Sequence, residues 1–283
     1  MLYLTGRPAQ ALKGHHRQPV ALEKHILALN ETRNPALIKI LGLVMQDLQE
    51  DSGPTPLPPD LVGSDQPSLN NDLLPDEVAA GSNVGALGTR SPTAEESAIG
   101  KQVLDGAPSA CTPFEVASYF WAVGQGYFGE DRKPYASAWP SRWNPVIVEF
   151  FKATQTKPDG DTTSWCAAFV NYCLMRAANG RTLPTDSAPP TNSARALSFK
   201  NWSKPTTSPE PGDIVVFDNI TDGEGGKGHV AFFLADQGDH VLVLGGNQRD
   251  GTPPRSTICR KAYTKNGSIL KVVSYRTDSQ LHP

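Results

Sequence analysis

Residues 164–174 read SWCAAFVNYCL, and no proline or glycine follows until Gly180. Serine is a preferred helix N-cap and glycine commonly follows a helix C-terminus, so the stretch predicts a buried helix that Ser164 caps. Cys166 lies in its first turn, where the helix dipole and a nearby imidazole can lower the pKa of a thiol. Cys166 is therefore a candidate nucleophile, although a buried apolar cysteine is the commoner role at such a position, and Cys173, two turns further along the helix, is predicted to be a core residue.

Further helices are predicted before and after this stretch. The pattern Thr112-Pro113-Phe114-Glu115 is a capping box with proline at the first helical position, and it opens a helix over 112–123. Asn144-Pro145 opens another to about residue 153, and Asn192 is a candidate cap for a fourth helix.

The residues after Pro211-Gly212 change to the pattern of β-strands. Five runs are predicted, over 213–218, 229–235, 240–245, 257–262 and 269–276. Helices followed by an antiparallel meander indicate an α+β fold and exclude a doubly wound nucleotide-binding sheet. The glycine-rich residues 223–228 precede a strand instead of a helix, so they predict a mobile loop and not a phosphate cradle.

The distribution of aromatic residues divides the chain. Of 22 Phe, Trp and Tyr residues, only Tyr3 precedes Phe114. Residues 51–110 contain 8 Pro, 7 Gly and 7 Ser, with 9 acidic against 2 basic side chains. Such a composition favours a flexible linker over 51–111, followed by a folded domain over 112–283. Residues 1–50 predict a helical hairpin (20–29 and 35–49) that either packs on the domain or docks on a partner.

Charge and cysteine usage exclude several classes of protein. The formal net charge is −3, which argues against a nucleic-acid partner. No apolar run is long enough to span a membrane, and the first residues lack the apolar region of a secretory signal. The four cysteines lack the spacing of a zinc site, and no metal or cofactor is predicted. A pairing of Cys111 with Cys173 or Cys259 is left open.

Two histidines of the predicted domain are candidate bases, His229 and His240. If residues 236–239 form a hairpin loop, His229 lies opposite Gly246, with Asn247 one position beyond. His240 then lies at the loop end, about 20 Å away along the strand. Asn247 could fix the tautomer of His229, which would complete a Cys-His-Asn triad, or it could be a turn residue after the glycine pair.

The motifs SWCAAFVNYCL, GHVAFFL and LGGNQ, in this order, resemble those of the CHAP (cysteine, histidine-dependent amidohydrolase/peptidase) and NlpC-type cell-wall hydrolases. The likeness covers roughly residues 112–278. It implies a papain-like fold, with helices packed on an antiparallel sheet of five to six strands. It also implies cleavage of a peptidoglycan amide bond, by N-acetylmuramoyl-L-alanine amidase or peptide endopeptidase activity. The catalytic roles carry over to Cys166, His229 and Asn247.

The sequence departs from this family at one position. Many CHAP enzymes have a glutamate two residues before the asparagine, where this chain has Gly245. Some CHAP domains bind calcium upstream of the cysteine, but the Asp-Gly-Asp turn at Asp159 and Asp161 is more typical of a turn and helix cap. We predict Trp165, Trp202 and Gln248 as substrate-binding residues.

Three functions compete for the domain. The leading hypothesis is hydrolysis, the second is a cell-wall binding module without activity, and the third is acyl transfer to an amine. The expected setting is an antibacterial effector that reaches the periplasm or cell wall of a target bacterium, or a phage-type endolysin. An effector would need a cognate immunity protein in the producing cell, and residues 1–50 would be the contact for a secretion apparatus.

Overall fold

The computed structural model describes residues 88, 90–158, 160–221, 226–250 and 255–282. The predicted hairpin and residues 51–87 of the predicted linker lie outside these ranges. Within them, no helix combines the length and apolar character that crossing a membrane requires.

The described chain begins with helices and ends with strands. The α-helices are α1 (Ala94–Gly106), α2 (Pro113–Gly124), α3 (Pro145–Phe150) and α4 (Cys166–Ala178). Short 3-10 helices occupy Lys133–Ala136, Phe151–Ala153, Gly160–Thr162 and Ala196–Phe199. The strands are β1 (Lys204–Pro205), β2 (Ile214–Asn219), β3 (Gly228–Gln237), β4 (His240–Asp250), β5 (Arg255–Thr264) and β6 (Leu270–Thr277).

The N-termini of α2 and α3 are capped as the sequence predicts. Thr112 accepts a hydrogen bond from the Glu115 N–H, and the Glu115 side chain accepts from the Thr112 N–H. The Asn144 side chain accepts from the Val146 N–H, and Pro145 occupies the first helical position. These caps satisfy backbone donors that a helix start otherwise leaves without a partner.

The start of α4 differs from the prediction. Its N-cap is Trp165, whose side chain makes no capping hydrogen bond, and Cys166 is the first helical residue. The helix ends at Ala178, before Gly180, whose φ of 77° suits a residue without a side chain. The predicted cap at Ser164 was therefore wrong by one residue.

Two further predictions about helices were wrong. Residues 94–106 belong to the predicted linker, yet they form α1, with a capping box between Thr93 and Glu96 and with Val103 buried. Asn192 caps no α-helix: it has a positive φ of 56°, and only the short 3-10 helix Ala196–Phe199 follows.

The six strands form one antiparallel sheet in the order β1-β6-β2-β3-β4-β5. The predicted meander holds from β2 to β5, but β6 crosses back to pair with β2. The β3–β4 turn is also tighter than predicted, because Gln237 and not Ala235 lies opposite His240.

Side chains of the sheet alternate between two buried layers. Val230, Phe232 and Leu234 of β3 join the main core with α2 and α4, whereas Ala231 and Phe233 belong to a second cluster on the other face. In that second cluster, the rings of Phe217 (β2) and Tyr263 (β5) have centroids 5.1 Å apart. Two strands separate β2 from β5, so a flat sheet would hold them about 14 Å apart. The sheet therefore curls, and the second cluster fills its concave side.

Candidate active site

The candidate nucleophile lies where α4 meets the sheet. Cys166 is 1% exposed and is the first residue of α4, so the positive end of the helix dipole lies at this residue. A Cβ added to Gly246 would lie 2.4 Å from the Trp165 ring and 2.9 Å from Phe169. Such distances are too short for any side chain, so glycine at this position of β4 allows the start of α4 to approach the strand closely.

The candidate base lies at the start of β3, with a different set of neighbours. His229 is 3% exposed, and its ring centroid lies 5.9 Å from that of Phe217 and 5.5 Å from that of Tyr263. Both of these residues belong to the concave cluster. Ala231 and Phe233 follow His229 by two and four residues on β3. Side chains at such spacings point to the same face of a sheet, so the position of His229 in the strand also favours the concave side.

The recorded neighbours of the two side chains belong to different hydrophobic clusters. Cys166 is part of the core beneath the helices, and the ring contacts of His229 are with residues of the concave cluster.

The hydrogen-bond partner of His229 is Gln248. The Nε2 atom of His229 lies 3.1 Å from Oε1 of Gln248, which is fully buried. The other end of the Gln248 amide donates from Nε2 to the carbonyl oxygen of Cys259 at 2.6 Å. Gln248, predicted as a substrate-binding residue, is thus a direct neighbour of the candidate base.

Asn247 does not hold His229. Its Oδ1 accepts a hydrogen bond from Ser256 Oγ at 2.5 Å, and its Nδ2 is buried without a hydrogen-bond partner in the described chain. Asn247 has a φ of 61°, and the β4–β5 register shifts between Gly245 and Gln248. This β-bulge re-aims the side chains that follow the glycine pair, so the imidazole donates its hydrogen bond to Gln248 and not, as predicted, to Asn247.

Both tryptophans predicted to line the cleft are buried. Trp165 is fully buried, packs against Phe150 and Phe169, and has no hydrogen-bond partner for Nε1 in the described chain. Trp202 is 6% exposed and donates from Nε1 to the carbonyl oxygen of Pro189. Both rings therefore contribute to packing in this structure.

The Asp161 side chain connects the segment before α4 to the segment before α3. Its Oδ2 accepts hydrogen bonds from the N–H groups of Trp139 (2.9 Å) and Asn144 (2.8 Å). Burial raises the pKa of this carboxyl to about 6, against the lowering effect of these hydrogen bonds. No group of three or more His, Cys, Asp and Glu side chains with metal-binding geometry occurs among the described residues. Asp159 lies outside them.

The four cysteines are buried thiols, and none of the disulfides left open for Cys111 is formed. Burial raises the pKa of the Cys173 thiol well above its ordinary value, and the nearby Cys111 adds to the effect. Cys173 lies in the core of α4, as the sequence predicts.

The electrostatic environment keeps the candidate base neutral. Burial is the largest effect and lowers the pKa of His229, the hydrogen bond to Gln248 raises it, and the charge of Lys261 lowers it. Together they bring the pKa of His229 to about 4. At neutral pH the imidazole is therefore unprotonated, the state in which it can accept a proton.

Comparison with known proteins finds a family match for part of the chain. Residues 158–247 match the family model of the CHAP domain. No curated relative matches the chain in sequence. Among solved structures, it is similar to a GST-like protein from Pseudomonas syringae at 11% identity, over 82% of this chain and 76% of that one. The TM-score of 0.16 is too low to support an argument about the fold.

The family match covers all of α4, strands β1 to β3, and β4 as far as Asn247. It includes Cys166 and His229 and stops one residue before Gln248. CHAP domains are in general hydrolases that act on peptidoglycan, and the α+β arrangement with a six-stranded antiparallel sheet is compatible with this family. The match supports a CHAP-type domain over residues 158–247.

Proposed function

We propose that the protein hydrolyses an amide bond of peptidoglycan, with Cys166 as the nucleophile and His229 as the base. The observation that carries this proposal is the family match over residues 158–247, in which Cys166 is the first residue of α4 and His229 lies at the start of β3. These are a thiol at the positive end of a helix and a neutral imidazole on the strand against which that helix packs.

The proposed reaction proceeds in two steps. His229 takes the proton from the Cys166 thiol, and the sulfur attacks the carbonyl carbon of the amide. The C–N bond breaks as the imidazolium returns its proton to the leaving amine, which leaves a thioester on Cys166. Water then attacks the thioester, with His229 again as the base, and releases the carboxylic acid.

Proton transfer requires the thiol sulfur and a ring nitrogen of His229 to come within about 3 Å of each other. Hydrogen bonds at catalytic sites often form fully only in the complex with substrate. We propose that this contact between Cys166 and His229 forms in the complex with substrate. Helix-start N–H groups of α4 would then stabilise the oxyanion.

The test is mass spectrometry of the fragments released from purified sacculi. Wild-type protein should release new muropeptides, with either a free lactyl carboxylate (amidase) or a cleaved stem peptide (endopeptidase). Cys166→Ala should release none. Cys173→Ala is the matched control, because it removes a thiol from the same helix at a position outside the proposed site, and it should retain activity. Release by Cys166→Ala at the wild-type rate would exclude the thiol mechanism.

A second candidate is a peptidoglycan-binding module without hydrolytic activity. The burial of Cys166 and His229 favours it, because a hydrolase must give its substrate access to both groups. This function predicts that sacculi retain the protein on sedimentation while the muropeptide profile stays unchanged. Transfer of the acyl group to an amine would instead give an amide, heavier than the hydrolysis product by the mass of that amine minus one water.

The biological setting stays a prediction from the sequence. We propose an antibacterial effector that acts in the periplasm of a target cell, with an immunity protein that covers the region of Cys166. Expression of the full chain directed to the periplasm should lyse the host, whereas cytoplasmic expression and periplasmic Cys166→Ala should not. Survival of the periplasmic wild-type strain would argue against this setting.

A further inference from the structure

The amide of Gln248 is held in one orientation. Its Nε2 donates to the carbonyl oxygen of Cys259 at 2.6 Å and lies 3.4 Å from the Cys259 sulfur. A carbonyl oxygen only accepts hydrogen bonds, so the NH2 end of the amide must face Cys259. The oxygen end, Oε1, therefore faces His229.

This orientation determines which nitrogen of His229 carries the proton. Oε1 of Gln248 lacks a hydrogen to donate, so the imidazole atom 3.1 Å away, Nε2, must be the donor. In the neutral ring, Nδ1 then holds the lone pair. A base that removes a proton from a thiol needs this arrangement, with one nitrogen anchored and the other able to accept.

Gly245 provides the space that Gln248 uses. A Cβ at residue 245 would lie 2.9 Å from Oε1 of Gln248 and 2.8 Å from Cβ of Ala231. Neither distance is compatible with a normal contact, and Ala231 is fixed in the interior of β3. A side chain at 245 and the observed position of Gln248 therefore exclude each other.

The bulge at Asn247 explains why Gln248 and not its neighbour reaches the imidazole. Asn247 has left-handed backbone geometry, and its oxygen is engaged by Ser256. Gln248 follows the bulge, pairs with Thr257 of β5, and lies on the concave side together with His229.

We propose that Gln248 is the positioning residue of His229, that it selects the tautomer protonated at Nε2, and that Gly245 is required to admit it. The inference rests on the proposed role of His229 as the base. Gln248 makes no hydrogen bond to the Cys166 thiol and would not contact a substrate in this arrangement. It therefore acts only through the imidazole of His229. It lies one residue beyond the matched segment, and the role replaces the one that the sequence assigned to Asn247.

The test is NMR of the full chain with 15N-labelled histidine at pH 7. The nitrogen shifts of His229, assigned by their loss in His229→Gln, should show protonated Nε2 and unprotonated Nδ1. Gln248→Met keeps the length of the side chain without its hydrogen bonds, and it should shift this signal toward a mixture of tautomers. Gly245→Ala should have the same effect, because the new Cβ displaces Oε1. Asn247→Ala should leave the tautomer unchanged.

A wild-type signal with the proton on Nδ1 would overturn the inference without any variant, so the test does not depend on the folding of Gln248→Met. A tautomer that changes in Asn247→Ala and persists in Gln248→Met would also overturn it.

Muropeptide release separates this inference from the proposed function. Gln248→Met should slow release by roughly 10²-fold, the lower end of what a positioned base contributes. If Cys166→Ala stays active while the tautomer is as expected, the proposed function fails and the positioning role stands. If Cys166→Ala is inactive but the tautomer is wrong, only the positioning role fails.

Discussion

At the scale of single residues, the imidazole of His229 is buried among aromatic rings, with one hydrogen bond to the neutral amide of Gln248. An amide oxygen accepts a hydrogen bond from the ring but cannot compensate the charge of an imidazolium as a carboxylate would. The basicity of His229 is therefore reduced, and protonation works against the folded state.

This burial predicts a pH dependence of stability. The pKa of His229 is lowered from 6.5 to about 4 in the folded chain, so the unfolded chain binds this proton first as the pH falls. The free energy of unfolding should therefore fall between pH 6.5 and pH 4, by about 3 kcal/mol in total, and recover fully above pH 6.5. Urea unfolding of wild type and His229→Gln at several pH values measures this contribution as the difference between the two proteins.

Asp161 contributes with the opposite sign but does not disturb that comparison. Its pKa is raised to about 6, so its contribution falls as the pH rises from about 4 to 6. Both proteins contain Asp161, and the effect cancels in the difference. Equal pH profiles for wild type and His229→Gln would contradict the lowered pKa of His229.

At the scale of secondary structure, two capping boxes of the same sequence type occur in different surroundings. Thr112 and Glu115 cap α2 and are both buried, and Oε2 of Glu115 accepts from the Thr112 N–H and hydroxyl. Thr93 and Glu96 cap α1 at the surface, where Glu96 also pairs with Arg142. The same substitution in the two boxes therefore compares one interaction in two environments.

We expect Thr112→Ala to lower the free energy of unfolding by about 2 kcal/mol and Thr93→Ala by about 0.5 kcal/mol. A lost N-cap costs about 0.5–2 kcal/mol, and the cost is higher where the groups left without a partner are buried. Denaturant midpoints of the two variants measure the difference. A larger loss in Thr93→Ala would show that α1 contributes more to stability than its exposed position suggests.

Prediction from sequence succeeded for helices whose first residues include a capping side chain or a proline. The capping box of α2 and the Asn-Pro start of α3 are determined by residues within four positions of each other, and both are confirmed. The same signal was present for α1, where Thr93 precedes Glu96 by three residues. It was missed because the helix buries only Gly100 and Val103, and the composition of the region favours a linker.

At the scale of the whole molecule, residues near the C-terminus connect the strands to the loop before β1. The buried carboxylate of Asp278 accepts hydrogen bonds from the Ala188 N–H, the Ser203 hydroxyl and the Gln280 side chain. His282 adds a contact to Asp213 at 2.8 Å, which raises the pKa of His282 despite its partial burial.

We expect Asp278→Ala to lower the free energy of unfolding by about 3 kcal/mol, because several buried or partly buried donors would lose one shared acceptor. Asp239→Ala, in the exposed turn between β3 and β4, is the matched control and should change it by less than about 0.5 kcal/mol. Urea midpoints give both values. Hydrogen exchange at the Ala188 amide should accelerate in Asp278→Ala alone, and unchanged exchange would contradict the proposed connection.

The position of β6 shows why the order of strands in the sheet could not be predicted from the sequence. Its apolar residues predict a strand, but pairing with β2 instead of β5 depends on how the curled sheet closes. Strand propensity is a local property, whereas the choice of a neighbour is a property of the assembled core.

The sequence alone determined the class of fold, the start of α4 at Cys166 to within one residue, and the candidate residues Cys166 and His229. The fold class and the start of α4 follow from helix caps and strand alternation, which depend on a few neighbouring residues. The candidate residues follow from the order of the motifs along the chain. Only the tertiary structure decided that Gln248 and not Asn247 holds the imidazole. The physical reason is the bulge at Asn247: one extra residue reverses the faces of all side chains that follow, and it forms only when β4 pairs with β5.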